Sequence, residues 1–545
     1  MSIFSIGLSG LNAAQNALNT TSNNISNVYT PGYNRELTLL GEGRAGGGVE
    51  VNDIQRQFNQ YVASQLNSAT STASALQTYQ TQISQIDDLL ADREAGLAPL
   101  MQDFFSALEG LAGTPSDPAA RQGVIGAADT LSAQFRSFDL YLQDMQEGIN
   151  GQIRDEVTQI NNVTEQISKL NREIALARAR NGEAPNSLLN QRDQAVADLS
   201  ERLDVRLTVQ DGKTYNISLP NGQPLVSGTN HYQLEAIESS NDPQRMVLGY
   251  RDSGGNTVEL KEESVTGGTL GGLMTFRSET LDKTQNQIGQ LAVSLAFGFN
   301  EQHGEGIDLN GDPGEDFFGI GTPQTYANTR NAGTAEVVDA QFDDIADLRA
   351  TDYAVRVTDD STTPPTVEVI RKDNGEALDA ADISFVGNDL SFGGVVISFD
   401  DAANLTNGDR FEVQPVRRAA GEMESLISDL DKIAAGEAAG SGDNRNALAL
   451  QDLQDELLVG GTASFSQSYA TMVSDVGNRT NIVQVNLDAQ EGLTEQLRAV
   501  QQSESGVNLD EEAANLIRYQ QYYQANARVI DVGSSILDTI LGLRA

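Results

Sequence analysis

The sequence offers few residues for catalysis, since its 545 residues include two histidines and no cysteine. Hydrolase triads, histidine zinc sites and proton relays need a histidine in a supporting constellation, and thiol catalysis needs a cysteine. His231 stands in a predicted hairpin, which is typical of a surface residue. His303 falls in a predicted turn, where we expect structural hydrogen bonding rather than catalysis. The sequence therefore predicts no catalytic residue.

A short polar run has the spacing with which a calcium-binding loop begins, with Asp308, Asn310 and Asp312 at alternate positions. The pattern then fails, because Pro313 stands where an EF-hand needs Gly and Gly319 where it needs Glu. A polar turn is the default interpretation, and a weak calcium site is the alternative. There is also no GxxxxGK[ST] phosphate loop, so we expect no metal centre and no cofactor.

The charge balance is strongly acidic, with 77 Asp and Glu against 35 Lys and Arg and a formal net charge of -42. Nucleic-acid binding needs a cationic surface, so this class of partner is excluded, while the charge favours solubility. No run of about 18 apolar residues occurs, so we expect no membrane span. The first basic residue is Arg35, so the N-terminus lacks the charged start of a cleavable secretory signal.

Long helices are predicted in the first part of the chain. Apolar residues at three-four spacing predict one over about 76–90. Asp117 is the predicted cap of another, which covers about 118–147. The strongest coiled-coil signal is a line of isoleucines repeating by sevens over 153–174, and a further helix is predicted over about 186–204.

The apolar period then alternates between strand and helix. Strands are predicted over about 205–265 and again over about 303–416, with a helix over 278–300 between them. Helix is predicted to resume near 419 and to include a long segment over about 463–503. One apolar stripe of that segment is predicted to contain Tyr469, Met472, Val476, Val483, Leu493, Leu497 and Val500. This order is typical of a helical rod that carries two inserted β domains.

The N-terminal segment carries a heptad seam for a partner helix. Its large apolar members are Phe4, Leu11, Leu18 and Ile25, and three places after each stand Gly7, Ala14, Thr21 and Val28. Six Asn, two Thr and two Ser lie between Asn12 and Asn27, and these weak helix formers together cost roughly 6 kcal/mol relative to Ala. We therefore expect a segment that is disordered alone and helical when docked.

The C-terminal segment has a matching seam, which runs to the last residues. Its members, again spaced by sevens, are Leu509, Leu516, Tyr523, Ile530 and Leu537. Asn508 and Glu511 have capping-box spacing, and the acidic first turn favours a helix start here. A helix that packs on its own domain explains a single seam of this kind. Two seams, one at each end of a long middle, favour a shared element formed by both termini.

Several motifs resemble those of bacterial flagellar rod, hook and hook-associated proteins. Residues 23–33 (NNISNVYTPGY) resemble the N-terminal signature of that group, and residues 505–525 (SGVNLDEEAANLIRYQQYYQA) resemble its C-terminal one. The central residues 271–277 (GGLMTFR) are similar as well. So are 299–318, which contain FNEQH, GIDLNG and FF. The resemblance touches both ends and the middle, while residues 325–416 carry no family motif.

Pattern and resemblance together predict a multidomain α plus β protein. It would combine a terminal helical coiled coil, an elongated antiparallel helical domain and two inserted mainly-β domains. The predicted limits are 1–50 with 505–545 for the paired terminal domain, 51–204, 276–302 and 417–504 for the helical rod, 205–275 for the first β domain and 303–416 for the second.

The resemblance implies a non-enzymatic structural component of the flagellum that joins hook and filament. It implies assembly as a short ring-like segment through the terminal helices, and export through the flagellar type III channel to the cell exterior. The implied partners are further copies of the chain, the hook protein, a second junction protein with the filament, and an export chaperone. The alternatives are a hook or distal rod subunit and, from another class, a secreted cell-wall hydrolase.

The expected site residues follow from the two seams and the motif. Those expected at subunit interfaces are Phe4, Leu11, Leu18, Asn23, Asn24, Ile25, Asn27, Leu509, Leu516, Tyr523, Ile530 and Leu537. The residues expected to bind the chaperone are Leu537, Ile540 and Leu541.

Overall fold

The computed structural model describes residues 3–43, 47–92, 96–210, 214–252, 254–440 and 442–543, and of Asn181 only the backbone. Helices dominate these residues, and the strands form several small sheets. The α-helices are α1 (Ile3–Ser26), α2 (Gln60–Leu90), α3 (Leu97–Gly113), α4 (Pro118–Asn181), α5 (Asn186–Arg202), α6 (Gly268–Phe276), α7 (Asp282–Gly304), α8 (Arg445–Asp452), α9 (Phe465–Ser505) and α10 (Leu509–Gly542).

The longest helix, α4, has local signals at both ends. The Asp117 side chain accepts a hydrogen bond from the Ala119 N–H, and Pro118 occupies the first turn, where its missing N–H costs nothing. At the other end Gly182 adopts φ +84°, a left-handed conformation that terminates the helix. The predicted cap at Asp117 is therefore confirmed.

Between these ends α4 is continuous over 64 residues, or about 96 Å at 1.5 Å per residue. The predicted division near residue 147, into one helix and a separate heptad segment, is wrong. Gly148 and Gly151 weaken a helix by about 1 kcal/mol each relative to Ala. The buried side chains of Ile149 and Ile153 pack in the core on either side of Gly151, and their burial outweighs that cost.

Helices α2 and α9 lie antiparallel and form the centre of the helical body. The Tyr469 hydroxyl donates to the Leu90 carbonyl at 2.9 Å, and the Gln490 amide donates to the Ala69 carbonyl at 3.1 Å. Tyr79, Ile83, Ile86 and Leu90 of α2 are all buried in the main hydrophobic core, as are Tyr469, Met472, Val476 and Val483 of α9.

The second half of α9 departs from the predicted stripe. Leu493 and Val500 are exposed, although they were assigned to the same line as the buried Met472 and Val476. In this half only one side of α9 is covered, by α2, and that side carries Leu487 and other residues of a different helical row. Spacing alone cannot tell which of two apolar rows meets the partner.

A hairpin follows α1, formed by β1 (Glu36–Glu42) and β2 (Val49–Arg56). The first β region then forms two antiparallel sheets. Their strands are β3 (Arg206–Gln210), β4 (Thr214–Ser218), β5 (Pro224–Ser227) and β6 (Asn230–His231) in one sheet, and β7 (Leu234–Glu238), β8 (Met246–Arg251) and β9 (Thr257–Glu259) in the other. Asparagine amides of α4 hold both sheets, since Asn171 donates to the Tyr215 carbonyl and Asn161 to the Leu234 carbonyl.

The second β region consists mainly of two four-stranded antiparallel sheets, ordered β11-β18-β13-β14 and β12-β17-β16-β15. Their inward-facing Val, Ile and Phe side chains form a second hydrophobic core. The strands are β10 (Phe318–Gly319), β11 (Gln324–Ala327), β12 (Val337–Phe342), β13 (Tyr353–Asp359), β14 (Thr366–Arg371), β15 (Ile383–Val386), β16 (Asp389–Phe392), β17 (Val395–Phe399), β18 (Arg410–Gln414) and β19 (Glu424–Ser425), of which β10 pairs with β19.

The segment after β18 is not the helix predicted from about 419. Residues 419–440 contain two 3-10 turns and β19 instead. Arginines of α4 bind carbonyl groups of this segment: Arg121 donates to those of Leu430 at 2.7 Å and Ile433 at 2.9 Å, and Arg136 to that of Met423. Because a helix uses its carbonyls internally, these tertiary hydrogen bonds favour the irregular path.

A buried network of charges joins the two β regions to α7. Arg245, just before β8, pairs with Glu262 at 2.8 Å and with Asp282 of α7 at 2.6 Å. Arg417, just after β18, pairs with Asp282 at 3.3 Å and with Asp352. Burial acts to raise the pKa of Glu262, but Arg245 and Arg277 outweigh it and hold that pKa at about 2. Glu262 therefore stays ionised at neutral pH, and the ion pairs fix both β regions to one helix start.

We expect Arg417→Met to destabilise the chain by about 3–5 kcal/mol, because it leaves the buried side chain of Asp352 without its arginine. Urea unfolding followed by circular dichroism should show a lower midpoint. The matched control is Arg251→Met, which removes a half-exposed pair with Glu235 and should cost about 1 kcal/mol or less. Equal midpoints for the two variants would contradict a structural role for the network.

Candidate assembly interface at the chain ends

The N- and C-terminal helices α1 and α10 pack against each other in antiparallel orientation. A Cβ added to Gly7 would lie 2.8 Å from the Ile530 side chain, and one added to Gly10 would lie 2.2 Å from the Asn526 side chain. Further along, one added to Gly533 would lie 3.4 Å from the Ile3 side chain. The backbones therefore approach so closely at Gly7 and Gly10 that no larger residue fits without displacement.

Small side chains form the centre of the α1 contact. The buried residues of this helix are Gly7, Gly10, Ala13, Ala14, Ala17, Thr20, Thr21 and Asn24. The predicted large members of the seam flank this row and are only half-buried, namely Phe4, Leu11, Leu18 and Ile25. On α10, Leu516, Tyr523 and Ile530 are half-buried, whereas Leu509 and Leu537 are exposed. Periodicity located the helices, but the closest approach involves the small residues Gly7 and Gly10, which lie between Phe4 and Leu11.

The asparagine motif is used within the chain to hold the turn after α1. The Asn24 amide donates to the Glu36 carbonyl at 2.9 Å, and its oxygen accepts from the Glu36 N–H at 3.0 Å and the Tyr33 hydroxyl at 2.8 Å. Asn27 donates to the Asn23 carbonyl at 2.9 Å, while the Asn23 side chain is exposed. Asn24 thus joins the end of α1 to the start of β1.

An ion pair that sequence reasoning missed joins the two terminal motifs. The Arg35 guanidinium lies 2.7 Å from Glu511 and 2.7 Å from the buried Glu512, and the Arg35 N–H donates to the Ser505 carbonyl at 2.8 Å. Asn508 caps α10 by accepting from two backbone N–H groups. The cap predicted at Asn508 is present, and the Glu511 carboxylate, which was expected in a capping box, pairs with Arg35. A lone cation after 34 uncharged residues, opposite an acidic triplet, was the available signal.

Helix α10 carries a second apolar row that α1 does not cover. Its members are the exposed Tyr522, Val532, Ile536, Ile540 and, just after the helix, Leu543. Val529 lies at the edge of this row, beside Gly7 of α1. Tyr522, Val529, Ile536 and Leu543 are spaced by sevens, as in a second helix-packing seam. Because Gly533 faces Ile3, residues 534–542 extend past the first described residue of α1. The exposed Leu537, Ile540 and Leu541 lie in this extension.

Comparison with known proteins is consistent with this arrangement. The profile "Flagellar hook-associated protein FlgK helical domain" matches residues 83–318. The chain is 40% identical to flagellar hook-associated protein 1 of Salmonella typhimurium strain LT2 and 41% identical to that of Escherichia coli K12. In both comparisons the alignment covers 100% of each protein. The chain belongs to the flagellar hook-associated protein 1 family.

Membership in the hook-associated protein 1 family makes the chain a structural component of the bacterial flagellum. A solved relative, the flagellar hook junction protein FlgK from Burkholderia pseudomallei, is 27% identical with a TM-score of 0.75 and covers 81% of this chain and 99% of its own. Profiles for flagellar rod proteins match only residues 4–34 and 501–543. The terminal helices are thus the part of this chain that is similar to the rod proteins.

The two histidines have different surroundings. His303 is fully buried: its Nδ1 lies 2.7 Å from the Glu315 carbonyl, and its Nε2 accepts from the Ala434 N–H at 2.9 Å. Burial lowers the pKa of His303, which keeps the ring neutral and suits this pair of hydrogen bonds. The structural role predicted for His303 is confirmed. His231 lies in β6 and is half-buried, rather than fully at the surface, with its Nδ1 3.5 Å from the Ser168 hydroxyl.

The acidic run after His303 forms a hydrogen-bonded turn. The Asp308 carboxylate accepts from the backbone N–H groups of Asn310 at 2.8 Å and Asp312 at 2.9 Å, and from the Asn310 amide. Elsewhere among the described residues no group of three or more His, Cys, Asp or Glu is placed to hold a metal ion. No helix in the described ranges combines the length and apolar character needed to cross a membrane.

We expect Gly10→Val to separate α1 from α10, because its Cβ would overlap the Asn526 side chain. Overpacking of this kind costs about 1–3 kcal/mol. Hydrogen exchange should show faster labelling of residues 3–26. Gln15→Val is the control, since it places the same β-branched side chain on the exposed face of the same helix. Equal labelling in the two variants would contradict the close approach.

We also expect Arg35→Met to release α10 by leaving the buried Glu512 carboxylate without its cation, at a cost of about 3 kcal/mol. Limited proteolysis should cut within residues 508–543 faster than in the parent chain. Arg518→Met, an exposed substitution on α10 itself, should leave the cleavage rate unchanged. Slow cleavage of both variants would show that the ion pair does not hold α10.

Proposed function

We propose that this chain is a non-enzymatic structural adaptor at the junction between flagellar hook and filament, and that it assembles through its terminal helices. The second apolar row of α10 carries the proposal. One row of α10 faces α1 within the chain, while Val532 and Ile536 of the other row are exposed. A helix with two apolar rows can pack between two neighbours, and neighbouring copies would supply the second partner.

With two apolar rows, the single helix α10 would pack on α1 and on a neighbouring copy at the same time. The α1–α10 pair forms the proposed terminal coiled coil, over residues 1–50 and 505–545. The exposed row and its extension past α1 would then contact adjacent copies in a ring-like segment. Flanking positions at subunit interfaces would be the half-buried or exposed residues Phe4, Leu11, Leu18, Asn23, Ile25, Asn27, Leu509, Leu516, Tyr523, Ile530 and Leu537. Asn24 would act indirectly, by fixing the turn after α1.

The remaining domains would position these helices along the axis. We propose a helical rod of residues 51–204, 276–302 and 417–504, with β domains at 205–275 and 303–416 carried outside it. The buried charges between Arg245, Asp282 and Arg417 support a rigid attachment of both β domains to the rod. The hook protein on one side, and a second junction protein with the filament on the other, would be the axial neighbours.

Before assembly, the exposed end of α10 would need a cover. Leu537, Ile540 and Leu541 are exposed on the extension, which fits docking of an amphipathic helix in the groove of an export chaperone. The chain would then leave by the flagellar type III route and act outside the cell. A hook or distal rod subunit is disfavoured, because the rod profiles match only the ends whereas hook-associated relatives align throughout.

The proposal predicts that Val532→Asp blocks the junction without unfolding the chain, since this side chain is 58% exposed. With the gene replaced in the source bacterium, electron microscopy should show hooks without filaments, and filament subunits should appear in the medium. Gln524→Asp, an exposed substitution on another side of α10, is the control and should leave filaments intact.

Normal filaments with Val532→Asp would contradict assembly through the second row. A further comparison separates the two rows, because Asp at Leu516 or Ile530 should block the junction by releasing α10 from α1. Circular dichroism of the purified chains distinguishes the two cases: helix content should fall for Leu516→Asp and remain unchanged for Val532→Asp.

A further inference from the structure

Helix α2 presents an outer face without charge, which is unusual in this acidic chain. Asp, Glu, Lys and Arg make up 21% of the sequence, yet none occurs from residue 57 to residue 86. The outward side chains in this stretch include Tyr61, Gln65, Ser68 and Thr72, all exposed. Tyr61 is 84% exposed and is the kind of residue that contributes strongly to protein interfaces.

Helix α9 presents an exposed apolar row beside α2. The row consists of Ile482, Val485, Leu493 and Val500, with the exposed Ala489 and Gln496 between them. The α2-facing residues of this half, Val483, Leu487 and Thr494, are buried on another side of the helix. From Ile482 to Val500 the row covers about 27 Å at 1.5 Å per residue. Three exposed carboxylates, Asp488, Glu491 and Glu495, flank it.

The charges decide which partner fits this row. Two copies of a chain with net charge -42 repel each other, so they can approach closely only where the contacting faces carry little charge. An α9 row set against the α9 row of a second copy would bring these carboxylates, which outnumber the exposed Arg498 of the same stretch, close to those of the other copy. An α9 row set against the outer face of α2 would meet Tyr61, Gln65, Ser68 and Thr72, none of which is charged. The favoured contact is therefore between unlike faces of two copies.

We propose that the apolar row of α9 in one copy packs on the uncharged outer face of α2 in the next copy, as a lateral contact within the assembled segment. This inference rests on the proposed function, and it adds an interface in the helical rod to the one at the chain ends. A contact between unlike faces repeats from copy to copy and closes into a ring when the rotation permits. It thereby supplies the geometry that a ring-like segment requires.

The test uses the absence of cysteine from the chain, which gives cross-linking without background. Full-length variants with one cysteine each are produced in pairs in the source bacterium. One member is Val485→Cys, and the other is Gln65→Cys, Ser68→Cys or Thr72→Cys, which sample two turns of α2. Isolated hook–filament particles are treated with a flexible bis-maleimide, and the products are separated by mass. Thr158→Cys, exposed on α4, replaces the α2 variant as the control.

A dimer of this chain should form when Val485→Cys is paired with an α2 variant and should be absent with Thr158→Cys. A dimer from Val485→Cys alone would show contact between like faces and overturn the proposal. A product with a protein of different mass would assign the α9 row to another partner, with the same consequence. Assembled particles without any cross-link would also overturn it.

The proposed function has a separate readout in the same particles. If the untreated variants build filaments and the chain is present at the hook end, the adaptor function stands whatever the cross-linking shows. If the parent chain is missing from isolated particles, the adaptor function fails and the lateral contact fails with it.

Discussion

The close antiparallel approach of α1 and α10 is the constraint on which the rest of the molecule depends. Gly7 and Gly10 permit it, since a Cβ at either position would overlap a side chain of α10. Because both ends of the chain meet in one place, the chain must leave the terminal pair and come back to it. It leaves towards α2 and comes back through α9, which lies beside α2. Both β regions are inserted between these two helices. The ion pair between Arg35 and Glu512 joins the segment that follows α1 to the first turn of α10.

The buried charge network fixes the orientation of both β regions relative to α7. Asp282 lies at the start of α7 and meets Arg245 from the first β region and Arg417 from the second. Such pairs add little net stability compared with apolar packing, but loss of one partner leaves a buried charge, so alternative orientations are strongly disfavoured. The network therefore holds the two β regions in one orientation on α7.

Sequence periodicity located most elements but could not choose between competing rows. The Asp117 cap and the seams at both ends were readable because caps and heptads are local signals. The exposure of Leu493 and Val500 was not, since it depends on which side of α9 meets α2. Likewise the line Phe4–Leu11–Leu18 drew attention to large residues, whereas close helix packing selects the small ones at Gly7, Gly10 and Ala14. The helix predicted near 419 failed because Arg121 and Arg136, some 300 residues away in sequence, bind its carbonyls.

The central claim is that α1, rich in Asn, Ser and Thr, is helical because α10 covers its row of small residues. The most direct measurement is hydrogen exchange of the full chain beside a chain that ends at Asn508. We predict that residues 3–26 are protected in the full chain and exchange as an unfolded segment in the shorter one, while α2 and α9 stay protected in both. Equal protection of residues 3–26 in the two chains would contradict the account.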